Sequence, residues 1–233
     1  MTRTVGRRNA ALLGAAVFAA GLLFTQRASG TERTVATPAP NADFTTAAKG
    51  DQVAVFSGGC FWGIQAVFQH VKGVTSATSG YAGGHVDHPE YEQVSSGTTG
   101  HAESVRVTFD PSQVSYAQLL QVFFTVAHDP TELNRQGPDV GTQYRSIVFY
   151  TTPEQKATVD AYIAQLTKAK TFDRPIVTQI VPFTKFWPAE AYHQNYATLH
   201  PDQPYIAIND LPKVEHLQTQ FPKLYTPKLA AAE

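Results

Sequence analysis

Two hydrophobic periods alternate along the chain, and they lay out its elements before any chemistry is considered. The apolar run Val53-Ala54-Val55-Phe56 predicts a first strand over 52–56. Ile64, Val67, Phe68 and Val71 follow at helical spacing, so a helix over 60–71 is expected, closed by Lys72-Gly73. Residues 74–81 predict a second strand, and the breakers in Gly83-Gly84-His85-Val86-Asp87-His88-Pro89-Glu90 predict a loop. Over 102–109 the period is two: Ser104, Arg106 and Thr108 share one face, and Val105, Val107 and Phe109 the other. Ser115 and Gln118 form a capping box for the next helix, whose apolar side carries Leu119, Leu120, Phe123 and Val126. Residues 128–143 form a long polar loop with Pro130, Gly137, Pro138 and Gly141, and such loops are usually functional. A strand over 144–150 comes next, then a helix opened by Thr152-Pro153-Glu154 and running to about 170. A strand over 175–181 and a short aromatic helix over 189–199 complete the pattern, and the tail from about 201 is Pro-rich and weakly patterned.

Through residue 150 the order is strand, helix, strand, strand, helix, strand. That is the split βαβ, ferredoxin-like order, and it predicts an α+β fold: a two-layer sandwich with a C-terminal extension.

Composition narrows the class. A chain of 233 residues holds one moderate domain plus extras, and 11% aromatic content supports a sizeable core. The formal net charge is −1 with no basic stripe, so nucleic acid is not an expected partner. Arg3, Arg7 and Arg8 precede a run of apolar or small residues over 10–24 and the small residues Ala28-Ser29-Gly30. This reads as an export signal over 1–30, with the Arg7-Arg8 pair pointing to the twin-arginine route and the product to the periplasm. An uncleaved N-terminal membrane anchor is the alternative. Residues 31–50 lack apolar periodicity and read as a linker, so the folded domain is expected over 51–233.

The chain has one cysteine, Cys60, set where the first strand gives way through Gly58-Gly59 to the first helix. Unbonded N–H groups at a helix start favour the thiolate, the reactive form of cysteine. A helix end contributes up to ~2 kcal/mol to a partly buried anion, which alone would bring the thiol from ~8.5 toward 7.5. Phe61 and Trp62 beside it supply an apolar wall. The commoner fate of a free cysteine is inert burial, but Gly58, Gly59 and Gly63 open backbone space around this sulfur. A cysteine hydrolase is one chemistry open to it, with His193 or His101 as base and Asn195 or Asp139 as orienter. Thioredoxin-like exchange fits poorly, since Gly63 occupies the second position of a Cys-x-x-Cys pair. His85, Asp87, His88 and Glu90 offer a further, metal-binding reading.

Longer motifs resemble a known family. Gly59-Cys60-Phe61-Trp62-Gly63, Gly80-Tyr81-Ala82-Gly83-Gly84 and Ser96-Gly97-Thr98-Thr99-Gly100-His101-Ala102-Glu103 occur in the order of the A-type peptide methionine sulfoxide reductases. His128-Asp129-Pro130-Thr131, Asn134-Arg135-Gln136-Gly137-Pro138-Asp139, Gly141-Thr142-Gln143-Tyr144-Arg145-Ser146 and Ala189-Glu190-Ala191-Tyr192-His193-Gln194 continue the likeness to about residue 200. The resemblance implies reduction of methionine-S-sulfoxide, free or in oxidised proteins and peptides, by a monomer that binds no metal or organic cofactor. It makes Cys60 the nucleophile, Phe61 and Trp62 the methyl-binding wall, and Glu103 the acid for the sulfoxide oxygen. Tyr91 and Tyr144 would hydrogen-bond that oxygen, and Asp139 would order the site. This chemistry requires a neutral carboxylic acid, so Glu103 is expected to be buried, raised in pKa and coupled to the thiol. The only methionine is Met1, which suits work where methionine is oxidised.

Two departures stand out. Gln65 replaces a glutamate frequent in the family and is expected on the helix exterior. Ser95 stands where some bacterial members carry cysteine, and the tail has none. With no internal resolving thiol, an external one, a thioredoxin-like protein or a small thiol, is the expected reductant.

Overall fold

The computed structural model describes residues 1–2, 34–45 and 50–232. The export signal falls almost wholly outside these residues. The first strand, β1 (Gln52–Ser57), leads into α1 (Phe61–Gln69), β2 (Val74–Ala82), the short α2 (Tyr91–Ser95) and β3 (Ala102–Phe109). Helix α3 (Tyr116–Val122) runs on as a π turn, Phe123–Ala127. The hairpin β4 (Arg135–Gln136) and β5 (Asp139–Val140), a 3₁₀ turn at Thr142–Tyr144, β6 (Ile147–Tyr150) and α4 (Pro153–Lys168) follow. After them come β7 (Gln179–Pro182), β8 (Phe186–Pro188), a 3₁₀ turn at Ala191–His193, α5 (Tyr196–Leu199), a π turn at Ile206–Asp210 and α6 (Leu211–Gln220).

The main sheet has six strands in the order β7-β6-β1-β3-β2-β8. Neighbours are antiparallel except β7, which pairs parallel to β6. The fold is α+β, a mixed sheet with helices. Strand alternation sorts the side chains as the period predicts. Phe56, Val105, Val107 and Phe109 join Ile64, Val67 and Phe68 of α1, Leu119 of α3, Val159 and Tyr162 of α4 and Leu217 of α6 in the principal core. Val55, Ile147 and Phe149 form a smaller cluster with Phe183 and Phe186 on the opposite face. Capping explains the helix starts. Ser115 accepts from the Gln118 N–H while the Ser115 N–H donates to Gln118 Oε1, and Thr152 caps α4 ahead of Pro153.

Several expectations are corrected. The strand expected over 175–181 is the edge strand β7, shortened to Gln179–Pro182, a second edge strand, β8, has no counterpart in the sequence pattern, and the strand expected over 144–150 is limited to Ile147–Tyr150. The aromatic helix over 189–199 is broken by Asn195, which sits at φ 59°. The weakly patterned tail is ordered structure: α6 packs on α1, placing Leu217 in the core, and Ala231 reaches the edge of β2. Only Lys213 and Leu217 of α6 are buried, so its apolar stripe is too thin to read in sequence. Gln65 is 1% exposed rather than exterior, because β2 and the segment around Gln194 and Asn195 meet it. Its amide donates to the Ala77 carbonyl and to Gln194 Oε1, and its oxygen accepts the Asn195 N–H. Residues 34–45 form no helix or strand. They lie along α3 and α4, where the Tyr162 hydroxyl donates to the Pro38 carbonyl and the Ala117 N–H to Asp43.

Candidate active site

The turn that presents Cys60 is locked from behind. Gly59 sits at φ 99°, where a side chain would be strained, and a Cβ there would lie 2.7 Å from Gln136. A Cβ on Gly58 would lie 2.8 Å from the His128 ring. His128 is buried, donates from Nδ1 to the Phe123 carbonyl and accepts from the Ser146 hydroxyl at Nε2. Burial brings its pKa down to about 4, which keeps it neutral. This rigid backing delivers Cys60 to the N-cap of α1 with 8% exposure.

Glu103 opens β3 opposite Tyr81 and is 2% exposed. One carboxylate oxygen accepts the Phe61 N–H at 3.0 Å, an N–H that has no partner within the helix. The carboxyl group and the thiol therefore meet at the same helix end. Burial pushes Glu103 up to about 8, against the Phe61 hydrogen bond and with help from Asp139 and Asp210. The Cys60 thiol is also raised, well above its ordinary value. Burial is the first cause, followed by the charges of Asp210 and Glu103, while the Trp62 N–H pulls it back and Asp139 adds to the rise. This corrects the expectation from the helix end alone: three carboxyl groups and burial outweigh the helix N-terminus in the free protein.

The other residues singled out in the sequence converge here. Tyr91 begins α2 with its N–H donating to Glu190 Oε1 at 2.8 Å, and Tyr144 closes the 3₁₀ turn. Burial raises both phenols, and each feels the charges of Glu103 and Cys60. Asp139, on the β4–β5 hairpin, accepts from the Tyr205 hydroxyl. Burial raises its pKa, opposed by that bond and by Lys213. Phe61 is buried, with its ring centroid 5.9 Å from Tyr81 and 5.1 Å from His193. Trp62 stacks on Tyr196 at 3.9 Å, with its indole N–H donating to His193 Nδ1 at 3.2 Å.

Sequence reasoning missed the parts the tail brings in. Tyr205 stands edge-on to Trp62 with centroids 6.2 Å apart. Asp210 is buried against Gly63, where a Cβ would meet its oxygen at 2.2 Å, and Lys213 Nζ lies 3.8 Å from the same carboxylate. No local signal marks these residues. Glu190 and His193 did have one, the run from Ala189 to Gln194, but their partners could not be read from it.

The other chemistries lose their geometry. His101 accepts the Gly84 N–H at Nδ1 and donates from Nε2 to the Val86 carbonyl, and His193 is engaged with the indole, so neither histidine addresses Cys60. Asp87 pairs with Lys185 at 3.2 Å, and His88 lies against Trp187. Among the described residues no three His, Cys, Asp or Glu side chains group to hold a metal ion. Ser95 donates its hydroxyl to the Tyr91 carbonyl, and Cys60 is a free thiol.

Comparison with known proteins is consistent across sequence and structure. The sequence model of the peptide methionine sulfoxide reductase family matches residues 52–225. A relative from Mesorhizobium japonicum, peptide methionine sulfoxide reductase MsrA 2, is 59% identical over 182 residues, 78% of this chain and 93% of the relative. MsrA of Thermus thermophilus is 48% identical over 76% of this chain and 99% of its own. Methionine sulfoxide reductase A of Corynebacterium diphtheriae superposes with a TM-score of 0.57 at 34% identity, over 71% of this chain and 83% of that one. Reduced Mxr1 from Saccharomyces cerevisiae gives 0.59 at 28% identity, over 74% and 93%.

Proposed function

Since the chain belongs to the peptide methionine sulfoxide reductase family, oxidoreductases that reduce methionine sulfoxide, we propose that Cys60 and Glu103 carry out this reduction on the S epimer as a coupled acid–thiol pair. The Cys60 sulfur attacks the electrophilic sulfoxide sulfur while Glu103 gives its proton to the sulfoxide oxygen, a poor leaving group until protonated, and the proton lost by the thiol returns to the Glu103 carboxylate. Tyr91 and Tyr144 donate hydrogen bonds to that oxygen, and Phe61 and Trp62 receive the methyl group on aromatic faces. Asp139 orders the site through Tyr205. The oxygen passes to Cys60, methionine leaves, and the enzyme holds a sulfenic acid. An external thiol then condenses with it, releasing water and forming a mixed disulfide. A second thiol exchanges with that disulfide and restores the Cys60 thiol. The lone cysteine supports an outside donor, a thioredoxin-like protein or a small thiol. The strand order and antiparallel pairing of β6, β1, β3 and β2, with α1 and α3 as crossovers, support reading the core as ferredoxin-like.

The observation that carries this reading is the carboxyl group of Glu103, pushed up to about 8 and bonded to the helix end that presents the thiol. At neutral pH it is an acid able to donate, beside a nucleophile it does not repel. The test is turnover of separated S and R epimers of an oxidised methionyl peptide with ample dithiothreitol. The S epimer is expected to be consumed and the R epimer spared. An S epimer left untouched would overturn the assignment.

A further inference from the structure

His193 is 2% exposed and lies in the middle of the aromatic wall of the site. Its ring centroid is 4.5 Å from that of Tyr91, 5.1 Å from Phe61 and 5.8 Å from Trp62. A buried imidazole with a purely structural task ordinarily has both nitrogens bonded, as His128 and His101 do here. His193 uses only one. Nδ1 accepts the Trp62 indole N–H, and the buried Nε2 has no hydrogen-bond partner among the described residues. Glu190 Oε2 lies 3.9 Å from Nε2. Burial raises the Glu190 pKa, but the Tyr91 N–H, its own N–H and the Tyr81 hydroxyl outweigh this and keep it below the usual carboxylate value. A carboxylate on that side favours the tautomer protonated at Nε2, and that tautomer leaves Nδ1 free to accept.

We propose that His193 is a positioning residue for substrate capture: by accepting the Trp62 N–H on Nδ1, it fixes the plane of the indole that receives the substrate methyl group, with Glu190 selecting the tautomer. The inference rests on the reading of Trp62 as that methyl-binding wall. Three supports hold the indole: the stack on Tyr196, the edge of Tyr205 and the bond to His193. The bond is the directional one. The two aromatic contacts tolerate sliding in the indole plane, whereas an N–H aimed at one nitrogen does not. Burial also holds the His193 pKa below its ordinary value, so the ring stays neutral and able to accept.

The test compares two amides that differ in where they place an acceptor. In His193→Asn the side-chain oxygen takes the place of Nδ1, and in His193→Gln it takes the place of Nε2. Steady-state kinetics on the S-sulfoxide of N-acetylmethionine amide, with dithiothreitol, are expected to show KM raised about 5- to 10-fold in His193→Gln, with kcat within about 2-fold. KM should stay near wild type in His193→Asn. In a Trp187→Phe background, which leaves Trp62 as the only indole, the emission maximum should shift in the Gln variant and not in the Asn variant. Equal KM and equal emission in the two variants would overturn the proposal, even if both lose stability alike. Trp62→Ala separates the two levels of the argument. If it raises KM while His193→Gln does not, only the role of His193 fails. If it leaves KM unchanged, the reading of Trp62 fails with it.

Discussion

At the scale of single residues, reactivity is decided by a contest between burial and charge. The helix end favours a Cys60 thiolate, yet burial first and then the charge of Asp210 hold the thiol protonated, with a smaller push from Asp139 and a further one from Glu103 only once it ionises. Glu103 is held protonated by the same burial. Both protons are therefore in place before the substrate arrives, and the pair changes state together. Glu103→Gln is expected to lower kcat by about 10²–10⁴, the usual contribution of a general acid. In the wild type, kcat should fall as pH rises through about 8, and the variant should lack that limb. The effect on stability has the opposite sign. Glu103 is raised from 4.5 in the unfolded chain to about 8 in the fold, so the folded state gains from its proton below pH 4.5 and loses that gain as pH rises through 8. Glu103→Gln should therefore melt higher than wild type at pH 8.5, by about 4 °C or more if ~2 kcal/mol is recovered, and show no such gain at pH 4. Thermal unfolding at the two pH values checks this.

At the scale of elements, the site depends on one strand–turn–helix unit and on what presses against it. Gly58 and Gly59 admit His128 and Gln136 behind the turn, and Gly63 admits Asp210 in front of it. Gly63→Ala is expected to cost about 1–3 kcal/mol as an overpacked contact, because the Cβ would stand 2.2 Å from a buried carboxylate oxygen. The shift should move Asp210 away from the thiol, so urea unfolding and the pH dependence of Cys60 alkylation are expected to change together. An alkylation profile that stays put would separate Asp210 from the thiol. Much of this unit was legible in the chain, because its signals are local: an apolar run, a glycine turn, a helical stripe and, further on, the Ser115–Gln118 cap. What was not legible came from elsewhere. Gln65 read as exterior because nothing within its helix announces that the 189–199 segment will cover it. The helix expected over 189–199 is broken where Asn195 turns left-handed to meet Gln65 and Gln69, a tertiary contact overriding local propensity.

At the scale of the whole molecule, the sheet gathers residues distant in sequence, and the tail completes the set. The motifs read in the sequence hold Cys60, Glu103, Asp139 and Tyr144, which the fold brings together with Tyr91, but Tyr205, Asp210 and Lys213 come from a stretch whose composition carries no motif and little period. With one cysteine in the chain, any disulfide that Cys60 forms is intermolecular. After one turnover with stoichiometric substrate and no reductant, intact-mass measurement is expected to show one added oxygen on Cys60. Nonreducing electrophoresis after a sub-stoichiometric thiol is added should show mixed adducts alone. A covalent link from Cys60 to another side chain of the same chain would contradict this. The dependence on the tail has a temporal side as well. Tyr205 and Asp210 leave the ribosome long after Cys60 and Glu103, so a nascent chain carries its thiol and its acid without the phenol and carboxylate that finish their surroundings. The surroundings of the pair are complete only once that segment has been made, and a product interrupted before it would carry Cys60 without the phenol of Tyr205 and the carboxylate of Asp210.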